Sequence, residues 1–346
     1  MTARPNALGA NYRRLITAST ISNVGDGVGM VAYPWLASAV TRNPVLIAVI
    51  FAAQRLPWLV FTLPVGVLTD RHDRRTLMVV ANAGRASLTL FVALAVVWRG
   101  GALPGPDELD RVVGTEVVLY LCVVAATLSL GFAEVLYDNT AQTIMPSIVR
   151  SDQLQRANGR LWSAEQAANQ FAGPPLGAAL LAVGFAVPFF VDAATFAASA
   201  SLVFAIAATP RASAPVERRP WRQELAEGVR WLWHHDLLRP MAVILGLRNA
   251  FTFLTWAIFV LYVQEVLRSS TTGFAVIMMA GAIGAVIGGW VAAPVSHRLG
   301  SGPSLWVALT AAAITDVVIG SVSNTPAVVA MSLLFGLTVV LWNVVT

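Results

Sequence analysis

Apolar positions along this chain recur neither every second residue, as in a half-buried strand, nor every third or fourth, as on a surface helix. They form long unbroken runs, separated by proline, glycine and clusters of charge, at about 15 to 40, 45 to 68, 76 to 98, 117 to 141, 161 to 183, 186 to 208, 241 to 263, 272 to 293, 304 to 322 and 327 to 346. A run of about 20 residues, rising 1.5 Å per residue, crosses the roughly 30 Å hydrocarbon layer of a bilayer. The pattern therefore predicts an all-α polytopic membrane protein with ten spanning helices. The first run follows Arg4, Arg13 and Arg14 as a signal peptide would, but it is longer than the 7 to 15 apolar residues of a cleaved signal and reads as a retained span.

The polar segments between runs set the orientation. Alternate segments hold Arg4, Arg13 and Arg14; Arg71, Arg74 and Arg75; Arg150, Arg156 and Arg160; Arg211, Arg218, Arg219, Arg222, Arg230 and Arg239; and Arg298. The opposite set holds only Arg42, Arg99, Arg111 and Arg268. Basic residues accumulate on the cytoplasmic side, so the N-terminus is expected in the cytoplasm and the protein in a cytoplasmic (inner) membrane.

Composition agrees: of 346 residues 57% are hydrophobic and 12% charged, with mean hydropathy +0.69, against about 25% charged in soluble domains. The net charge of +5 comes from arginines in loops and points to no nucleic-acid partner. Cys122 has no second cysteine to pair with. The four histidines, His72, His234, His235 and His297, fall in the basic segments, and adjacent His234 and His235 do not share a helix face. No metal site, cofactor or membrane-embedded enzyme is expected.

The longest polar stretch, 210 to 240, divides the chain into a six-helix bundle (1–209), a linker and an incomplete bundle of four helices (241–346). Within the linker Trp221, Leu225, Val229 and Leu232 recur at helical spacing, predicting a helix at the membrane surface. The halves repeat: Gly131-Phe-Ala-Glu-Val-Leu-Tyr-Asp matches Gly336-Leu-Thr-Val-Val-Leu-Trp-Asn, and Gly66 and Arg75 match Gly289 and Arg298. The two offsets differ by the length of the segment from Arg99 to Glu116, which has only a short counterpart in the second half. The two spans that follow Ala141 in the first half have no counterpart after the tenth, so the repeat predicts twelve helices, of which ten are present, as in a truncated product or a partial record.

Between the second and third runs lies Gly66-Val67-Leu68-Thr69-Asp70-Arg71-His72-Asp73-Arg74-Arg75-Thr76-Leu77. The Gly-x-Leu-x-Asp-Arg-x-x-Arg-Arg pattern resembles the signature loop between helices 2 and 3 of the major facilitator superfamily. Asp73 stands where the general pattern has glycine, and that variant resembles the bacterial drug- and siderophore-exporter branch. The resemblance implies two bundles related by pseudo-symmetry about an axis normal to the membrane, rocking about a midplane site. It makes Gly66, Asp70, Arg71, Arg74 and Arg75 a conformational latch, with Asp138 holding Arg74 or Arg75. Gly173, Pro174 and Gly177 resemble the bend motif of the superfamily's antiporters, with Asn169 and Ala178 in place of its usual glycines, whereas the arginine those antiporters carry in the fourth span is absent. The implied activity is proton-coupled efflux of a small amphipathic molecule by a monomer. A solute importer of the same fold, or a truncated protein that does not transport, are the alternatives.

Ionisable groups inside spans are costly and so are site candidates. Counting residues along the spans puts Asp26 and Arg55 each roughly 15 Å deep, where they either pair with each other or leave Asp26 free to take up protons. Glu134 and Asp138, four apart on one helix face, sit at depths that suit Glu134 to balance Arg85. Asp192, Arg248 and Asp316 are further intramembrane charges to which the sequence assigns no partner, Asp316 among the proton or substrate candidates.

Overall fold

The structure, a computed structural model, describes residues 8–99, 103–106, 108–207 and 221–345. Twelve α-helices occur among them: α1 (Gly9–Val40), α2 (Pro44–Arg71), α3 (Arg74–Arg99), α4 (Val117–Ile148), α5 (Leu154–Gln166), α6 (Gly173–Val183), α7 (Val187–Phe204), α8 (Trp221–His234), α9 (Leu238–Leu261), α10 (Thr271–Leu299), α11 (Ser301–Ser321) and α12 (Thr325–Val345). A π-helical turn, Ala167–Ala172, joins α5 to α6 without a break in helical backbone, and a second, Tyr262–Val266, extends α9. The ten predicted runs are thus ten helical passes, and a helix, α8, is present in the linker, of which residues 208–220 lie outside the described residues.

Local chemistry sets the helix ends. Asn43 caps α2 by accepting from the Val45 N–H at 2.9 Å, with Pro44 following at the first helical position. Asp73 accepts from the Thr76 backbone N–H at 2.7 Å and the Thr76 hydroxyl at 2.8 Å. Its departure from the family's glycine therefore supplies an N-cap for α3. Gly300, at φ 81°, makes the one-residue turn from α10 into α11 that an L side chain would resist.

Eight stretches among the described residues are long and apolar enough to cross a membrane: all the passes except α1 and α5–α6. The exception has a packing reason. Nineteen residues of the 32 in α1 are buried, against four of the 24 in α9. Protein surrounds α1, which can therefore carry Ser19, Ser22, Asn23 and Asp26, whereas the exposed face of α9 must match lipid tails.

The internal repeat reappears as packing. Gly131 of α4 lies so close to α2 that a Cβ there would meet the Gln54 carbonyl oxygen, and Gly336 of α12 lies closer still to the Gly281 carbonyl oxygen of α10. The pairs α2·α4 and α10·α12 are the equivalent interfaces of the two halves. Gly284 and Gly288 serve the same interface from α10, facing Leu333 and Leu337.

One hydrophobic cluster crosses between the halves near Arg42, joining Val31, Leu36 and Ile47 to Val260, Phe274 and Ile277. At the opposite end, near Arg75 and Arg298, the cores are separate: one is built from first-half residues such as Tyr12, Met78 and Tyr137, the other from Ala292, Ala308, Leu341 and Trp342. Among the described residues the halves therefore share a core at the Arg42 end and have separate cores at the Arg75 end.

Candidate functional site

Between the halves, at mid-depth of the passes, lies a cavity of ≈ 410 Å³, within the range of small-molecule sites. Asp26 of α1, Arg55 of α2, Arg85 of α3, Glu134 of α4, Asn169 and Gln170 of the π turn and Asp192 of α7 supply its polar wall. The opposing wall comes from Thr252, Phe253, Trp256 and Val260 of α9 with Phe274 and Met278 of α10. An adjoining chamber of ≈ 290 Å³ is lined by α9 to α12 and includes Asp316.

The central contact is an ion pair between Arg85 and Asp26, with Arg85 3% exposed and its guanidinium 4.0 Å from the Phe196 ring centroid. This corrects two expectations. Asp26 pairs with Arg85 and not with Arg55, because α1 packs against α7, which in turn packs on α3, and so turns Asp26 toward α3. Glu134 and Asp138 lie within electrostatic range of Arg85, but Asp26 is its salt-bridge partner. Nor does Asp138 hold Arg75, whose guanidinium donates to the Ile206 carbonyl at 2.9 Å and lies 5.3 Å from the Phe204 ring. Helix rotation, which decides these partners, was not available from spacing.

Of the latch residues, the side chains of Asp70 and Arg71 lie outside the described residues. Gly66 has no atom within 4 Å of a Cβ position, so no close approach requires glycine there. Both glycines of the bend segment serve close packing. Gly173 and Gly27 meet almost backbone to backbone, a Cβ on Gly173 falling 2.4 Å from the Gly27 Cα, and Gly177 faces Val28. The turn before them is π-helical, and its extra residue per turn sets Asn169 and Gln170 in the cavity wall. Asp316 lies within electrostatic range of Arg248, which also lies 5.7 Å from the Trp342 ring, so the first and third passes of each half carry an acid and a base, with the signs exchanged.

Two features were not read from the sequence. Asp192 is buried at 3% exposure beside Gly25, its carboxylate 3.5 Å from the Thr195 hydroxyl and within electrostatic range of Asp26 and Arg85. At the Arg42 end, Arg42 donates to Gln264 Oε1 at 2.5 Å and to Glu265 Oε1 at 2.5 Å, and Gln264 donates to Ser38 Oγ at 2.9 Å. The π turn in which Gln264 and Glu265 sit brings both toward one arginine. The polar character of these residues marks them as notable, but a contact across more than 220 positions leaves no local trace. Among the described residues no group of three or more His, Cys, Asp or Glu side chains is arranged to hold a metal ion.

A sequence profile of the Major Facilitator Superfamily matches residues 15–346. The chain belongs to that superfamily. It is a multi-pass membrane transporter, not an enzyme, and its substrate is a small molecule. Among curated proteins it is similar to "Multidrug efflux pump Tap" of Mycobacterium tuberculosis (strain ATCC 25618 / H37Rv), 24% identical over 331 residues, covering 93% of this chain and 74% of that protein. The pump of the same name from Mycolicibacterium fortuitum is 24% identical over 337 residues, covering 93% and 76%. Among solved structures, a bacterial homolog of the human lysosomal transporter Spinster, inward-facing and unoccupied, aligns with TM-score 0.69 at 13% identity, covering 99% of this chain and 76% of that one. The nucleoside transporter NupG aligns with TM-score 0.74 at 12% identity, covering 97% and 81%. Both share the fold.

Proposed function

We propose that this transporter exports a small amphipathic molecule across the bacterial inner membrane in exchange for protons, as a monomer with a cytoplasmic N-terminus. The carrying observation is the cavity itself: it lies between two halves whose shared hydrophobic cluster, among the described residues, is at the Arg42 end, and its wall holds the buried Arg85–Asp26 pair. The excess of arginines at the Arg75 end argues that this end faces the cytoplasm. In that orientation the described conformation is closed to the outside and open inward. Efflux is favoured by the similarity to a multidrug efflux pump and by the Gly173-Pro174-x-x-Gly177 segment.

The mechanism follows from which contacts must exchange. Substrate enters from the cytoplasmic side and fills the cavity; the halves then rock, breaking the Arg42 contacts to Gln264 and Glu265 and closing the cytoplasmic end, where the loop holding Asp70, Arg71, Arg74 and Arg75 acts as latch. Asp26 alternates between pairing with Arg85 and carrying a proton, so that return to the inward-open state brings a proton in. Asp138, Glu134 and Arg55 set the field around that exchange. The domain division at residues 210 to 240 is the hinge of the rocking motion.

A substrate panel in everted vesicles tests this, with proton release scored on addition of each compound. Substrate-dependent proton release in wild type, lost in Asp26→Asn, is expected. Proton flux in the opposite sense would establish import instead, and transport with unchanged pH dependence in Asp26→Asn would remove Asp26 from the coupling step.

A further inference from the structure

The segment joining α3 to α4 has no match in the second half, where residues 322–324 alone join α11 to α12. Its described residues, 103–106 and 108–116, fold back onto the protein. At one end Glu116 pairs with Arg99, the Glu116 backbone N–H donates to the Val40 carbonyl at 2.9 Å, and the Thr115 and Thr41 hydroxyls meet at 2.8 Å. A single 3₁₀ turn, Leu109–Arg111, buries Leu109 in the hydrophobic cluster that both halves share, and Leu103 and Val112 pack against that cluster. Trp35 of α1 is buried in the same cluster, and its indole N–H donates to the Pro106 carbonyl of the segment at 3.2 Å. A buried indole needs such an acceptor. The Trp35 ring meets Phe274 of α10 edge-on, with centroids 5.5 Å apart, and Phe274 lines the cavity.

Resting on the transport reading above, we propose that this segment is a strap that keeps the outer end of the cavity shut by seating Trp35 against Phe274. Its fastenings to Val40, Thr41, Trp35 and Arg99 all belong to the first half, so the strap travels with that half as the two rock. Opening the outer end then parts Trp35 from Phe274 and strips the shared cluster from Leu103, Leu109 and Val112. The Pro106 bond, which lies within one half, acts by preorganisation. It fixes the indole in the orientation that meets Phe274, so closure has one fewer large side chain to order. Pro104 and Pro106, with φ fixed by their rings, hold the accepting carbonyl in place.

Spin labels on Val45→Cys and Ser323→Cys, exposed positions at the outer ends of the two halves, read the opening as a distance in the purified full chain in lipid nanodiscs. Cys122→Ser removes the one native cysteine. Freeing one ordered side chain corresponds to roughly a fivefold shift in the ratio of open to closed populations. Trp35→Phe keeps an aromatic ring and loses the N–H, whereas Pro104→Gly with Pro106→Gly leaves Trp35 intact and slackens the strap. Each is expected to raise the ratio of long to short distances by about that factor. Combined, they should do no more than either alone, because both act through one hydrogen bond. Unchanged populations in both variants, or effects that multiply on combination, would overturn the proposal. Should Trp35→Phe fail to fold, the proline pair decides the outcome by itself. Because the distances need neither substrate nor a proton gradient, a strap effect without substrate-dependent proton release would defeat the antiport reading and leave this inference standing.

Discussion

Replacing Asp26 with asparagine removes the carboxylate from Arg85 while keeping nearly the same volume. The guanidinium is left 3% exposed, away from water that could solvate it. Truncating one partner of a buried pair costs about 3 to 5 kcal/mol because the other charge stays behind unpaired. Two features place this case at the low end, about 3 kcal/mol. The Asp26 side chain is 27% exposed to the cavity, and Arg85 keeps the Phe196 ring together with the fields of Glu134 and Asp138. Thermal unfolding of the purified variant should therefore begin at a clearly lower temperature than wild type, with the helical spectrum intact before the transition. Adding Arg85→Gln removes the stranded charge, so the double variant should regain most of the lost stability while remaining unable to couple protons. A single variant as stable as wild type would show that Arg85 finds an equivalent partner. A double variant no better than the single would refute the stranded-charge reasoning.

Arg42→Ala should loosen the contact between the halves by about 1 kcal/mol, since Glu265 is 56% exposed and its pair with Arg42 correspondingly screened. Thiol labelling of cysteines placed at the Arg42 end should rise several-fold, and the exchange Arg42→Glu with Glu265→Arg should restore protection. Gly173→Val must push α6 off α1 because its Cβ would sit 2.4 Å from the Gly27 Cα; a loss of more than 3 kcal/mol in stability is expected, whereas Gly159→Ala, with nothing within 4 Å, should leave stability equal or slightly raised on urea titration. Glu116, held below the usual glutamate range by the Arg99 hydrogen bond and then by the Leu119 N–H, contributes to anchoring α4 above its unfolded pKa and loses that contribution as pH falls through its lowered folded value. Proteolysis of the segment from 103 to 116 should accelerate on acidification in wild type but vary little with pH in Glu116→Gln.

Helices of this protein are legible in its sequence because the bilayer imposes a local rule: a spanning segment must satisfy its own backbone and present apolar side chains over a fixed length. Proline, glycine and capping residues then mark the ends within a few positions. The loop from Gly66 to Leu77 and the repeat around Gly131 and Gly336 carry the family in residues adjacent in sequence, and depth counted along a helix sets Asp26 level with Arg55 and Glu134 level with Arg85. Which of them touch is another matter. Partner choice depends on how each helix is rotated about its axis, and that is fixed by backbone contacts such as Gly27 on Gly173 and Gly131 on Gln54, which join positions 77 to 146 residues apart. Tertiary packing alone therefore gave Arg85 to Asp26, buried Asp192 beside Gly25 and Thr195, and brought Arg42 to Gln264 and Glu265. Those contacts arise from close packing between helices, whereas the helices themselves arise from each segment meeting lipid on its own.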